Sequence, residues 1–378
     1  MDYIVKDDTI IFSYDYNKQI DLNLISHYKK VIFSDYELNE YLFDKYASND
    51  FDNLKYKYSK FNISVDNLQH EYITHLTFGY YFNHSVDKLP EQLTHLIFKN
   101  KFNQHVDNLP GNLTNLTFGC DFNHHVDNLP NTLTHLTFGS NFNYPIDNLP
   151  EYLMYLTLGY EFNHSVNNLP MHLTHLTFND SFNKPVDNLP EHLTNLIFGY
   201  DFNCQVNNLP KHLTNLTFGY KFNQEVNNLS EQLTQLTFGT KFNHSLDKLP
   251  EHLTHLTLGK EFNKQVNLHF NIKYLNLQCN NQHIIDYLHD GIEELEFGLY
   301  FNLELNNLPS SIKKIIFNIE NNYNKELNCL PNFVELIQLP VSYDKKILKV
   351  PESLNQIICY KYYKFISDFD NLNVKTYV

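Results

Sequence analysis

The residues best placed to do chemistry form a series of polar side chains that recurs at every twentieth position: His75, His95, Asn115, His135, Tyr155, His175, Asn195, Asn215, Gln235 and His255. Imidazole is both a metal ligand and a general base near neutral pH, so the histidines invite both readings. If each falls in one coil of a stacked fold, neighbouring members stand about 5 Å apart. Zinc wants three or four converging ligands held by an ordered second shell. A straight column offers two, and Asn and Tyr interrupt it. No metal and no cofactor are therefore expected, and the column reads as a partner-binding surface. His124-His125 falls in a turn and reads as solvated.

A carboxylate repeats as well, at Asp87, Asp107, Asp127, Asp147 and Asp187, but Asn takes the same offset in other copies. Interchange of Asp and Asn points to turn capping by either side chain and not to an obligate acid or base. The sequence contains no phosphate-binding glycine loop, no His-Glu-x-x-His and no Gly-x-Ser-x-Gly. Its five cysteines are widely spaced, with no Cys-x-x-Cys pair, and read as ordinary reduced thiols of a cytoplasmic protein. No catalytic residue is assigned, and the chain is not expected to be an enzyme.

The elements that hold these residues follow from the repeat. Phe-Asn begins at Phe82 and returns every 20 residues to Phe262. Counted from that Phe as slot 1, the unit reads F-N-x-x-V-D-N-L-P-x-x-L-T-x-L-T-F-G-x-x. Six apolar slots recur, illustrated by Phe122, Val126, Leu129, Leu133, Leu136 and Phe138. Leu136-Thr137-Phe138 alternates, as a short strand with one buried face does. Nine of the 11 glycines fall just after that strand, and 11 of the 14 prolines follow slot 8 or its later equivalents. Proline at a fixed offset ends helical turns and cannot lie in a central strand. Each unit reads as strand, turn, irregular or 3₁₀ return, and turn.

A single unit cannot bury six apolar side chains. Stacked units can, with their strands paired in parallel about 4.8 Å apart. The predicted fold is a leucine-rich-repeat-like solenoid, mainly β. Slots 14, 16 and 18 then line its concave face: the polar column, a nearly invariant Thr, and Gly. The Asn at slot 2 (Asn83, Asn103, Asn123, Asn143, Asn163, Asn183, Asn203, Asn223, Asn243, Asn263) reads as a structural ladder. Its amide is expected to bond turn backbone in its own and the next coil.

Composition bounds the partners. All 28 basic residues are Lys, against 43 acidic ones, for a net charge of -15. Without a basic stripe or any Arg, a nucleic-acid partner is not expected. No stretch approaches the ~18 apolar residues of a membrane helix, and the acidic start is no signal peptide. A monomer without membrane attachment is expected.

The pattern weakens towards both ends. Residues 61–270 hold the regular repeats, and 271–378 hold degenerate copies and a C-terminal cap, with strands at Leu275-Asn276-Leu277, Leu295 to Phe297, Ile315 to Phe317, Ile337 and Ile357. Residues 1–60 read as divergent repeats or a cap, with strands at Ile10, at Val31 and at Tyr56 to Tyr58. Residues 35–53 resist alignment and are expected to form a looser or partly helical insertion. The count is about 18 coils in one continuous solenoid.

The unit LPxxLTxLTFGxxFNxxVDNLP resembles the FNIP repeat, a relative of leucine-rich repeats found chiefly in social amoebae and giant viruses of amoebae. Phe142-Asn143-Tyr144-Pro145-Ile146 and Phe182-Asn183-Lys184-Pro185-Val186 come closest to the core of that motif. The resemblance spans residues 61–318. It implies a non-enzymatic scaffold that binds a protein along its concave face. Similar proteins with an N-terminal F-box would be substrate receptors of ubiquitin ligases. An F-box opens on Leu-Pro, and the first proline here is Pro90. A structural repeat protein without a dedicated partner is the remaining alternative.

Overall fold

The computed structural model describes residues 2–39, 41–48, 51, 54–68 and 71–377. It divides into two compact units, residues 1–184 with 188–193, and residues 185–187 with 194–378. The 20-residue spacing runs through that division unchanged, so the period carries no mark of it.

The first unit opens on an antiparallel hairpin, β1 (Tyr3–Lys6) against β2 (Thr9–Phe12). From β2 onward the strands described in this unit pair in parallel, and Tyr36 and Tyr56 form an isolated antiparallel bridge. The strands are β3 (Lys30–Phe33), β4 (His75–Thr77), β5 (His95–Ile97), β6 (Asn115–Thr117), β7 (His135–Thr137), β8 (Tyr155–Thr157) and β9 (His175–Thr177). Each strand is short because Gly and the following turn end it. At Gly139 an added Cβ would come within 2.0 Å of the Gly119 carbonyl oxygen, so a side chain there would push the two coils apart.

Register is set by the buried slots. Leu76, Leu96, Leu116, Leu136 and Leu156 are all essentially inaccessible. A slip of one residue would expose them and bury Thr and His instead. Slots 1 and 17 build an aromatic stack inside the coils: Phe118 lies 3.8 Å from Phe122 at 9°, Phe138 lies 3.7 Å from Phe142 at 10°, and Phe122 lies 6.1 Å from Phe142. Such pairs add about 0.5–1.5 kcal/mol each beyond the area they bury. The returns between strands are hydrogen-bonded turns, for example Leu93 N–H to the Pro90 carbonyl at 3.1 Å. Among the described residues 3₁₀ geometry is sustained once, at Ile366–Phe369.

One coil differs from the sequence reading. Tyr56 and Tyr58 do not form a strand of the parallel array, because β3 pairs directly with β4. The coil of β3 reaches its own Phe slot at Phe61, which stacks on Phe33 at 3.8 Å. Residues 35–58 are therefore an insertion within that coil. It contains a short helix, α2 (Leu42–Ser48), after α1 (Leu22–Ile25) in the preceding coil. The sites at 40, 49, 50, 52 and 53 lie outside the described residues. The insertion folds onto the strand face, where Leu42 packs with Ile11 and Ile32, slot-16 residues of β2 and β3. It is tied down by buried Asp35, whose Oδ1 accepts the N–H of Ser59 at 2.7 Å and of Tyr80 at 2.8 Å. Its Oδ2 accepts the Tyr56 hydroxyl at 3.2 Å.

The second unit repeats the plan with β10 (Asn195–Ile197), β11 (Asn215–Thr217), β12 (Gln235–Thr237), β13 (His255–Leu258), β14 (Tyr274–Leu277), β15 (Glu294–Phe297), β16 (Lys314–Phe317), β17 (Leu336–Gln338), β18 (Gln356–Tyr360) and β19 (Asn373–Tyr377), all parallel. A third helix, α3 (Gln282–Asp286), follows β14. In the degenerate coils buried tyrosines take over the Phe slot: Tyr323 stacks on Phe317 at 4.4 Å, and the Tyr363 hydroxyl donates to the Lys345 carbonyl at 2.6 Å. The strand β19 was not legible in the repeat, because no Leu-Pro or Phe-Asn signal flanks it.

Candidate interaction face

The parallel register places the slot-14 residues of each unit side by side. In the first unit these are His75, His95, Asn115, His135, Tyr155 and His175. In the second they are Asn195, Asn215, Gln235 and His255. Their side chains sit on the strand face opposite the Leu core, half-buried or exposed. The sequence reading makes the column a partner-binding surface of polar side chains. The structure stacks its rings: His75 on His95 at 4.1 Å and 12°, His135 on Tyr155 at 4.3 Å and 8°, and Tyr155 on His175 at 4.3 Å and 25°.

Stacking removes water from the imidazoles. Burial, followed by the charges of His95 and Lys30, pushes the His75 pKa down to about 4. Burial is also the first cause of the lowered values of His95, His135 and His175. These rings are accordingly neutral at pH 7.

The column is longer than the sequence assignment. Lys30 of β3 lies in register with His75, and Tyr274, Glu294, Lys314, Leu336 and Gln356 continue it beyond His255. Here the chemistry changes, with a Lys314–Glu294 pair at 2.5 Å and the Tyr274 hydroxyl donating to Glu296. The signal was present in the degenerate repeats, as the residue just before each strand Leu or Ile. A second missed feature is slot 13, whose Thr hydroxyl touches the slot-14 side chain, as at Thr134 and His135, 2.8 Å apart.

The slot-2 asparagines also line up. The backbone N–H of Asn103 donates to Asn83 Oδ1 at 2.9 Å, that of Asn123 to Asn103 Oδ1 at 2.9 Å, and so on to Asn143, Asn163 and Asn183. In the second unit the N–H of Asn223 donates to Asn203 Oδ1, that of Asn243 to Asn223 Oδ1, and that of Asn263 to Asn243 Oδ1. These asparagines lie at the surface rather than beside the core. Asn17, Asn62, Asn280 and Asn324 accept in the same manner in the irregular coils.

The repeated Asp, read from the sequence as a turn cap, bonds from coil to coil. Asp87, Asp107, Asp127 and Asp147 each accept from the slot-7 Asn amide of the next coil, at 3.0–3.2 Å. Asn167 accepts likewise from Asn188, so either residue can supply the oxygen, whereas the amide of Asn227 at the same slot donates to Glu225 at 3.0 Å.

No group of three His, Cys, Asp or Glu able to hold a metal occurs among the described residues. A cleft of about 420 Å³ beside α3 is lined by Gln282, Asp286, Glu304 and Lys325, among others, a mixed set without Ser, Cys or His. No helix among the described residues is long and apolar enough to cross a membrane.

Residues 71–101, 102–141, 122–161, 142–181, 162–201, 182–221 and 222–261 match the FNIP Repeat family. The chain belongs to the FNIP-repeat family. Among solved structures it is similar to CroV588, described as a circular leucine-rich-repeat protein, at 34% identity and a TM-score of 0.70. The match covers 84% of this chain and 55% of that one, so the chain spans about half the length of that relative. It is also similar to YopM from Yersinia enterocolitica, at 19% identity and a TM-score of 0.45, over 76% of this chain and 73% of that one. No curated protein matches. The fold of this FNIP-repeat chain is a leucine-rich-repeat-like solenoid.

Proposed function

We propose that this FNIP-repeat protein is a non-enzymatic scaffold that binds a protein partner along the strand face of its coils, and that it does so in the reducing cytoplasm. One observation carries the reading. On β4–β9 the slot-14 column lies open, whereas on β2 and β3 the same face is covered by a segment of the chain itself, with Leu42 packed on Ile11 and Ile32. The strand face is thus a surface on which a polypeptide packs. Extended solenoid faces serve binding in this way, and the five free cysteines fit a reducing compartment.

The test compares the intact chain with a variant carrying Ala at His95, His135, Tyr155 and His175. Partners cross-linked to the wild type are identified by mass spectrometry. Their loss from the variant, with its far-ultraviolet circular dichroism unchanged, is the expected result. Retention of every partner by the folded variant overturns the proposal.

A further inference from the structure

Each slot-14 side chain of β5–β7 sits beside a threonine hydroxyl of its own coil. Thr94 Oγ1 lies 2.9 Å from His95 Nδ1, Thr134 Oγ1 lies 2.8 Å from His135 Nδ1, and the Thr114 hydroxyl donates to Asn115 Oδ1 at 2.8 Å. A threonine has one proton to give. Its other candidate acceptor is a carbonyl one coil back, and for Thr94 that is Thr74 C=O at 3.1 Å. That oxygen already receives the backbone N–H of Thr94 at 2.9 Å and of His95 at 3.0 Å, which occupy its two lone pairs.

The hydroxyl proton therefore goes to slot 14, which must offer an acceptor. A neutral imidazole whose Nδ1 accepts carries its own proton on Nε2. An Asn whose Oδ1 accepts turns its NH₂ the other way. His and Asn become equivalent, each an acceptor towards Thr and an N–H donor away from it. The sequence follows the rule. In the ten regular coils nine slot-13 threonines precede His, Asn or Gln, and the exception, Met154, precedes Tyr155.

The charge on this face runs against that of the chain. Although the net charge is -15, slots 14, 16 and 18 of the β4–β9 coils hold no carboxylate. Lys30 adjoins His75 in register, and Lys99 follows β5. A face of donors with lysines at one end is complementary to acceptors.

We infer that the slot-14 column is a row of outward N–H donors that takes an acidic segment of a protein partner, an extended run of Asp and Glu whose oxygens accept from His and Asn of successive coils. This rests on the strand-face reading above and adds to it the tautomer and the partner's charge.

Two measurements on the full chain test it. Long-range ¹⁵N NMR of the histidines is expected to show Nε2 protonated and Nδ1 bare at His95 and His135. The preference should be lost at His135 in Thr134→Val and kept in Thr134→Ser. A proton on Nδ1 in the wild type overturns the inference. Fluorescence anisotropy with labelled polyglutamate, polylysine and oligothymidylate then reads the partner class. Polyglutamate is expected to bind, to shift the His95 and His135 resonances, and to weaken at least about tenfold in a variant combining Asn115→Leu with His135→Phe. His135→Asn should bind as the wild type does. Polylysine on the column in place of polyglutamate overturns the inference but leaves the strand-face reading standing. Equal or tighter oligothymidylate binding overturns the protein assignment. Failure of every probe also overturns the inference, while the strand-face reading is judged separately by its alanine variant.

Discussion

The backbone N–H of Asn163 donates to Oδ1 of Asn143, one coil earlier, at 3.1 Å. The bond joins coils through a side-chain oxygen where the strands do not reach. Only the acceptor is engaged, so the ladder tests itself by substitution. Asn143→Leu leaves the Asn163 N–H without its partner and should cost about 0.5–1.5 kcal/mol, because nearby water recovers part of the loss. Asn143→Asp keeps the oxygen and should cost less. Urea denaturation of both variants decides it, and equal midpoints for Leu and wild type would remove the ladder from the account of stability.

The aromatic stack gives a prediction in which the sequence supplies its own control. Slot 17 is Phe138 in one coil and Leu158 in the next, both buried, whereas slot 1 is Phe in both. Phe138→Leu should therefore cost less than about 1.5 kcal/mol. Phe122→Ala, at slot 1, opens a cavity between Phe102 and Phe142 and should cost about 3–5 kcal/mol. Chemical denaturation measures both, and a Phe138→Leu loss as large as that of Phe122→Ala would contradict the packing described.

Asp35 poses a different question, because burial pushes its carboxyl up while three donors pull it back towards the ionised form. Desolvation is the larger effect. A raised folded pKa means that this group favours folding when protonated and that its contribution falls as pH rises through the folded value. Asp35→Asn keeps an oxygen for Ser59 and Tyr80 without the charge, and is expected to match or exceed wild-type stability at pH 7. Asp35→Ala strands those donors in the interior and should cost about 1–3 kcal/mol. Asn as damaging as Ala, in thermal melts at pH 7, would show that the charge itself is needed.

Much of this arrangement could be read from the chain. The 20-residue period fixed β4–β13, because Leu-Thr-Phe alternates and Gly and Pro punctuate it at constant offsets. The irregular coil was misread for a physical reason. Phe61-Asn62 is a true Phe slot, and Tyr56 and Tyr58 stand before it as a strand would, but which strand follows β3 is decided by hydrogen bonds to the Lys29 carbonyl, which accepts from Thr74 and His75 at 2.9 and 3.0 Å. No local pattern reports a pairing across 45 residues of chain. Ring stacking at slot 14 was equally hidden, since the sequence gives the side chains but not their rotamers. The alternation of His with Asn was visible, and its explanation waited on the position of the neighbouring threonine.

The stacked histidines make stability depend on pH in a direction that can be worked out. His75, His95, His135 and His175 all bind protons less readily when folded, His75 with a pKa of about 4 against an ordinary 6.5. Between those values the unfolded chain holds more protons, so stability rises with pH. The contribution of His75 is fully present above about 6.5 and is lost as the pH falls towards 4. The urea midpoint should accordingly drop on going from pH 7.5 to pH 5. His75→Asn, which places in β4 the residue that β6 carries as Asn115, removes the most strongly shifted group and should flatten that drop while changing the midpoint at pH 7.5 little. An unaltered pH profile in this variant would mean that the imidazole of His75 is solvated in the folded protein, and the stacking against His95 would then be wrong.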